Sequence, residues 1–85
     1  MKNVTLEEFY KTIYLKDIII TYDSDCLCFN ALFKTANVYD DEIYSVDGSH
    51  FEVNPEGVSR LFYDEDADNY LILFKNGTKC HVEIV

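Results

Sequence analysis

The sequence contains few residues of several types, and each shortage excludes a class of protein. Three glycines and one proline among 85 residues exclude a collagen-like repeat and a flexible linker. Three scattered glycines also cannot form a glycine-rich phosphate-binding loop. Only seven residues are Lys or Arg, against sixteen Asp or Glu, and the net charge is −9. Direct nucleic-acid binding is therefore not expected, because binding phosphates requires a basic surface.

Long apolar runs are also missing. The longest, at 18–20 and 70–74, have the length of short strands, whereas a membrane-spanning helix needs about 18 apolar residues. Glu7 and Glu8 stand where a signal peptide would have its apolar core. Three cysteines would leave one thiol unpaired in a disulfide-bonded secreted domain. We therefore expect a cytoplasmic protein that does not associate with membranes.

What remains is the composition of a small globular protein. The chain is 48% hydrophobic and 15% aromatic, and its length suits one domain spanning residues 1–85. The first predicted element is a helix over Thr5–Leu15. Thr5 and Glu8 match a capping box, in which each side chain accepts a hydrogen bond from the other's free backbone N–H. Apolar residues then recur at helical spacing, namely Leu6, Phe9, Tyr10, Ile13 and Tyr14.

After the helix, short apolar segments alternate with turn residues, which predicts antiparallel strands. Segment 34–41 is ambiguous between loop and strand. The expected fold class is α+β, a single small domain with the N-terminal helix packed on one bent antiparallel sheet of five to seven short strands. The predicted strands are 18–22, 26–33, 42–46, 50–53, 60–63, 70–74 and 79–85.

The dipeptide Asn76-Gly77 is the strongest hairpin signal in the chain. A two-residue loop there would pair Leu73 with Cys80 and thereby fix which side chains face the core. The predicted core face comprises Leu71, Leu73, Cys80, Val82 and Ile84. The opposite face would then carry Tyr70, Ile72 and Phe74, which would be free to pack on the helix or on a partner.

The negative charge is concentrated in one third of the chain. Residues 40–68, here called the acidic segment, contain ten acidic residues and one basic residue, a net charge of −9. The preceding residues sum to −1 and the following ones to +1. Repulsion within such a segment lowers stability, so the clustering needs a reason. Solubility and protection of strand edges are one reason, and binding to a basic partner is another.

The second reason leads to a functional hypothesis. Acids at alternate positions of an extended chain lie roughly 6.6 Å apart, which is within the range of charge spacings along nucleic acid, where phosphates repeat about every 3.4 Å. In size and charge, the chain resembles the small acidic anti-restriction and anti-CRISPR proteins of phages and mobile elements, several of which mimic DNA. The resemblance implies a non-catalytic inhibitor or interaction protein. Its partner would be a basic protein, such as a nuclease or a nucleic-acid-binding protein.

The residues expected to contact that partner are the acids of two short runs and the tyrosines beside them. Exposed aromatic side chains often anchor a protein interface. The expected contacts are Asp40, Asp41, Glu42, Asp64, Glu65, Asp66 and Asp68, with Tyr39, Tyr44 and Tyr63 as aromatic anchors.

Two other functions are compatible with the same sequence. One is an antitoxin or immunity-type protein that neutralises a toxic enzyme by the same electrostatic attraction. The other is a small structural domain whose acidity serves solubility. It would self-associate, for example as a homodimer, through Tyr70, Ile72 and Phe74 or through an exposed strand edge.

No motif predicts catalysis, a cofactor or a strong metal site. Asp64-x-Asp66-x-Asp68 begins like an EF-hand loop, but Asn69 replaces the required glycine and Lys75 the bidentate glutamate. At most, weak Ca²⁺ binding is expected there. Cys26-x-Cys28 with Cys80-His81 and His50 is an incomplete zinc pattern, and adjacent residues on a strand point to opposite faces. We therefore expect the cysteines to act as small hydrophobic residues.

Overall fold

The computed structural model describes the chain from Met1 to Val85 and is mostly β, with 49% of residues in strands and 13% in helices. Neither helical element has the length and apolar character of a membrane-spanning helix. The helical elements are α1 (Leu6–Ile13) and a 3₁₀ turn at Pro55–Gly57. The strands are β1 (Lys2–Asn3), β2 (Ile18–Asp23), β3 (Cys28–Phe33), β4 (Asn37–Tyr39), β5 (Glu42–Tyr44), β6 (His50–Glu52), β7 (Val58–Asp64), β8 (Asn69–Phe74) and β9 (Lys79–Ile84).

The predicted α+β fold, a helix packed on one bent sheet, is wrong. The strands form two antiparallel sheets, one of six strands in the order β1-β7-β8-β9-β2-β3 and one of three in the order β4-β5-β6. The second sheet arises from a tight turn within the ambiguous segment. Asp40 and Asp41 both have positive φ, 51° and 62°, and Tyr39 pairs with Glu42 across them. This is the backbone of a type I′ hairpin turn, in which aspartate is tolerated.

The hydrophobic core includes residues from both sheets and from the helix. Phe9 and Ile13 of α1 are fully buried, and the Phe9 ring contacts Tyr70 of β8 edge-on, with centroids 5.0 Å apart. The six-stranded sheet contributes Ile18, Ile20, Phe33, Leu61, Ile72, Cys80 and Val82. Ile43 comes from β5 of the second sheet, and Val53 directly follows β6. The helix is thus one of several elements that surround a core lined mainly by strands.

Helix α1 starts where the sequence predicts and ends earlier. Thr5 is the N-cap, and its side-chain oxygen accepts a hydrogen bond from the Glu8 N–H at 3.1 Å. The helix ends at Ile13, before the predicted end at Leu15, because Leu15 turns into the left-handed region with a φ of 61°. The Leu15 N–H then bonds to the Ala36 carbonyl at 2.6 Å. A tertiary contact therefore ends the helix, and Tyr14 remains 50% exposed.

The predicted register of the last hairpin is wrong by one residue. The Phe74 N–H bonds to the Thr78 carbonyl at 2.9 Å, so the loop has three residues, and Leu73 pairs with Lys79. Gly77 supplies the positive φ of 89° that such a loop requires. A shift of one residue turns every side chain of a strand to the other face. Tyr70 and Ile72 are therefore buried against Val82 and Cys80, which excludes the proposed self-association through these two residues.

Candidate protein-interaction surface

The first group of predicted contacts lies on the β4–β5 hairpin. Asp40 and Asp41 form its turn, with Tyr39 and Glu42 on either side. Tyr39 is 74% exposed. The Tyr44 hydroxyl donates a hydrogen bond to Glu42 Oε2. All five predicted residues of this run therefore lie on one short hairpin.

Helix α1 holds this hairpin through a residue that the sequence analysis did not select. The Tyr10 hydroxyl donates a hydrogen bond to Asp41 Oδ1 at 3.0 Å. Burial, together with the hydrogen bond and the negative charge of Asp41, raises the pKa of Tyr10 well above its ordinary value. The two residues are 31 positions apart, so no local sequence signal could have paired them. Tyr10 appeared in the sequence only as a core-facing helix position.

The second group of predicted contacts lies on the β7–β8 loop. Asp64 Oδ1 accepts hydrogen bonds from the N–H groups of Asp66 at 3.1 Å and Ala67 at 3.3 Å, so this carboxylate closes its own turn. Glu65 and Asp66 are exposed, and their carboxylates make no hydrogen bond or ion pair within the chain.

At the end of the same loop, the Tyr63 hydroxyl donates a hydrogen bond to Asp68 Oδ1 at 2.5 Å. This hydrogen bond is the main reason that the pKa of Tyr63 is raised to about 12, with partial burial and the negative charge of Asp68 adding to it. Asp68 also has a positive φ of 52°, which suits aspartate better than most residues. Asp68 thus has a structural role in the loop as well as a charge.

The two acidic loops belong to different sheets, and no hydrogen bond or ion pair joins their acids directly. A series of aromatic contacts connects them instead. Ring centroids are separated by 5.2 Å from Tyr63 to Tyr70, by 5.0 Å from Tyr70 to Phe9, and by 5.7 Å from Phe9 to Tyr10. Tyr63 bonds to one loop and Tyr10 to the other, so packed aromatic rings hold each loop relative to helix α1.

The acidic segment has no internal compensation for its charge. The only ion pair in the chain joins Lys11 to Glu7 on the helix at 3.4 Å, and both side chains are well exposed. None of the ten acids between residues 40 and 68 is paired with a base. Glu42 also lies directly opposite Glu52 on the neighbouring strand β6. Like charges in that position lower the stability of a sheet.

Glu52 is therefore a second residue that the sequence analysis missed. The predicted strands 42–46 and 50–53 already placed it on a hairpin with Glu42, but their bounds pair residue 46 with 50, whereas the structure pairs Tyr44 with His50 and thereby Glu42 with Glu52. A groove of about 290 Å³ lies on the helix side of the same region, lined by Tyr10, Lys11, Tyr14 and Val38. Because Tyr10 also holds Asp41, the groove and the β4–β5 hairpin form one continuous region.

The cysteines and histidines do not form a shared site. Cys80 is fully buried in the core, where desolvation raises the pKa of its thiol to about 12, while Cys26 and Cys28 are exposed. Cys80 pairs with Ile72 and His81 with Leu71, so the two neighbours point to opposite faces of the sheet. No three His, Cys, Asp or Glu side chains are arranged to hold a metal ion.

The chain was compared with protein-family models, with curated proteins and with solved structures, and none of them matches it.

Proposed function

We propose that this chain is a non-catalytic acidic protein of the cytoplasm. In this proposal, it inhibits a partner by binding the partner's basic, nucleic-acid-handling surface. The observation that carries the proposal is the absence of any ion pair within the acidic segment. Acids that served only solubility could be interspersed with bases at no cost in stability. Ten nearly uncompensated acids lower stability by repelling one another. A basic partner would relieve this repulsion, and the relief would contribute to the free energy of binding.

The tyrosine hydrogen bonds support the proposal because they hold carboxylates in place. Asp41, Glu42 and Asp68 each accept a tyrosine hydroxyl, so these side chains lose little conformational freedom when a Lys or Arg approaches. Binding is tighter when fewer side chains have to be ordered at the interface. A phenol is also uncharged, so it orients the carboxylate without neutralising it.

The exposed residues would make the remaining contacts. Glu65 and Asp66 would attract the partner over distance, since exposed charges mainly raise the association rate. Tyr39, at 74% exposure beside Asp40, would supply an aromatic anchor. A surface that combines carboxylates with an aromatic side chain would compete directly with nucleic acid for a Lys/Arg-lined groove.

The test uses two double variants that change the charge equally. In Glu65→Lys/Asp66→Lys, the reversals fall on exposed acids with no structural role, and Asp64 is kept because it closes the turn. The control, Asp23→Lys/Glu83→Lys, reverses two exposed acids outside the acidic segment. Each variant is tagged, used to capture proteins from host lysate, and eluted with a salt gradient. Captured proteins are identified by mass spectrometry and challenged with duplex DNA.

The expected result is that the native chain and the control capture a nucleic-acid-handling protein that duplex DNA displaces. Glu65→Lys/Asp66→Lys should bind it at least about tenfold more weakly, with a melting temperature that is not lowered. Equal capture by both double variants would overturn the proposal, as would a captured protein whose binding DNA does not affect.

A further inference from the structure

Strand β3 forms one edge of the six-stranded sheet, and no other strand pairs with it there. The chain returns to this edge only past the end of the strand, where the Lys34 carbonyl accepts the Val46 N–H and the Lys34 N–H bonds to Ser45 Oγ, both at 3.2 Å. The hairpin partner of β3 is β2, and the pairing runs without a bulge from Ile18–Phe33 to Asp23–Cys28. Two of its apolar side chains are about half exposed, Phe29 at 47% and Leu32 at 48%, and so is Leu27, directly before the strand, at 55%. The edge therefore presents both an unpaired backbone and exposed apolar surface.

The hydrogen bonds of the β2–β3 turn identify which backbone groups are free. Ser24 and Leu27 exchange hydrogen bonds at 2.8 and 3.4 Å, so they form a hydrogen-bonded pair. Such pairs alternate along an antiparallel ladder. The N–H and C=O groups of Cys28, Asn30 and Leu32 therefore point away from β2 and have no partner within the chain.

This edge also lacks the features that normally prevent strand pairing. Charged residues, proline, bulges or very short strands usually protect a sheet edge. Residues 26–33 contain no charged residue and no proline. The other edge strands are two or three residues long, and β1 and β6 also carry Lys2 and Glu52. In an otherwise strongly acidic chain, β3 is the long edge left open to pairing.

We propose that a second copy of this chain pairs with β3 through this edge, antiparallel and about a two-fold axis at Asn30. In this register, Asn30 lies opposite Asn30 of the second copy, and Cys28 lies opposite Leu32. The arrangement satisfies the free groups of all three residues in both copies, whereas any shifted register leaves some unpaired. The two Asn30 amides face each other across the axis, where each can donate to the other's oxygen.

Charge complementarity favours a second copy as the occupant. Asp25 precedes the strand and Lys34 follows it; both are exposed and neither forms an ion pair in the chain. The antiparallel arrangement brings Lys34, just past the end of the strand in one copy, towards the β2–β3 turn of the second copy, which carries Asp25, and the symmetry creates this attraction twice. Elsewhere the net charge of −9 keeps two copies apart, so the uncharged β3 edge is where they repel least.

The interface excludes both acidic loops, so the proposal is independent of the proposed function. Sedimentation and light scattering of the isolated chain test it without any partner. The native chain is expected to have twice the monomer mass.

Two variants disrupt the proposed edge pairing. Leu32→Lys adds a charge to the edge, and Asn30→Pro removes the free N–H of residue 30 without disturbing the bonds to β2. Both variants should halve the mass while circular dichroism shows an intact fold. Ser59→Lys is the control, because Ser59 is exposed and lies on β7, which three strands separate from β3 in the sheet.

A cross-link tests the register. With Cys26 replaced by serine, Leu32→Cys should form a covalent dimer on oxidation, because the new thiol lies opposite the native Cys28 of the second copy. The same variant with Cys28→Ser should not. A native chain of monomer mass would overturn the proposal, as would a dimer that survives both edge variants or fails to cross-link.

The response to salt distinguishes this dimer from the proposed partner complex. Added NaCl should strengthen the dimer, because it screens the repulsion between two acidic copies, and should weaken a charge-driven partner complex.

Discussion

At the scale of single residues, tyrosine and aspartate cooperate in the acidic loops. The hydroxyls of Tyr10, Tyr44 and Tyr63 each donate to a nearby carboxylate. Tyr63 is the most accessible to experiment, because the phenolic proton is held by the hydrogen bond to Asp68 and the pKa of Tyr63 is raised to about 12. The hydrogen bond can therefore be observed by titration.

Replacing Asp68 by asparagine should lower the pKa of Tyr63 from about 12 towards its ordinary value of 10.0. Asparagine keeps the left-handed turn but removes the negative charge that retains the phenolic proton. NMR titration with ¹³Cζ-labelled tyrosine resolves the individual rings. Asp66→Asn is the matched control and should leave Tyr63 unchanged. A pKa of Tyr63 still near 12 in Asp68→Asn would show that the carboxylate is not the cause.

The raised pKa also determines how this pair affects stability at high pH. Because the folded value lies above the unfolded one, the contribution of the pair to stability is complete below about pH 10. It is lost as the pH rises through about 12, where Tyr63 ionises beside Asp68. The sign is opposite to that of a paired carboxylate, whose contribution is lost on acidification.

At the scale of elements, turn geometry decided what the sequence could and could not predict. The N-cap of α1 at Thr5 was predictable because a cap depends on residues within one turn. The strands around Ile20, Ile72 and Val82 were predictable from local composition. The end of the helix, the register of the last hairpin and the division into two sheets were not, because each depends on tertiary contacts or on backbone angles.

The stability of the last hairpin depends on one of those backbone angles, the φ of Gly77. Gly77→Ala should lower the free energy of unfolding by about 1–2 kcal/mol, because its φ of 89° places a Cβ in the left-handed region. Gly57→Ala is the matched control. Its added Cβ would meet Phe74 at an ordinary 3.9 Å, and no positive φ is required there, so little change is expected. Urea denaturation measures both, and equal effects would contradict the three-residue loop.

At the scale of the whole molecule, the acidic segment has a measurable effect even without a partner. Ten acids are unpaired within one third of the chain, so their mutual repulsion should lower stability most at low ionic strength. The acids predicted to contact a partner lie on two separate loops that belong to different sheets. Sequence alone could not show this, because it required the positions of both sheets.

Raising NaCl from about 0.01 M to about 0.5 M should therefore raise the melting temperature of the native chain by several degrees, since the screening length falls from about 30 Å to a few ångströms. In Asp40→Asn/Glu65→Gln/Asp66→Asn, the melting temperature at low salt should be roughly 2–5 °C higher and the salt response smaller. Calorimetry over a salt series measures both effects. A native chain insensitive to salt would mean that the acids do not repel each other appreciably.

The turn at Asp40-Asp41 separates what the backbone requires from what the charge contributes. Two consecutive left-handed residues require glycine, asparagine or aspartate, and they do not require an anion. Exchange between aspartate and asparagine at Asp40 is therefore a change that folding would tolerate in either direction. If natural variants of this chain keep the carboxylate at this position, selection acts on its charge alone. If they exchange it freely for the amide, no such selection acts.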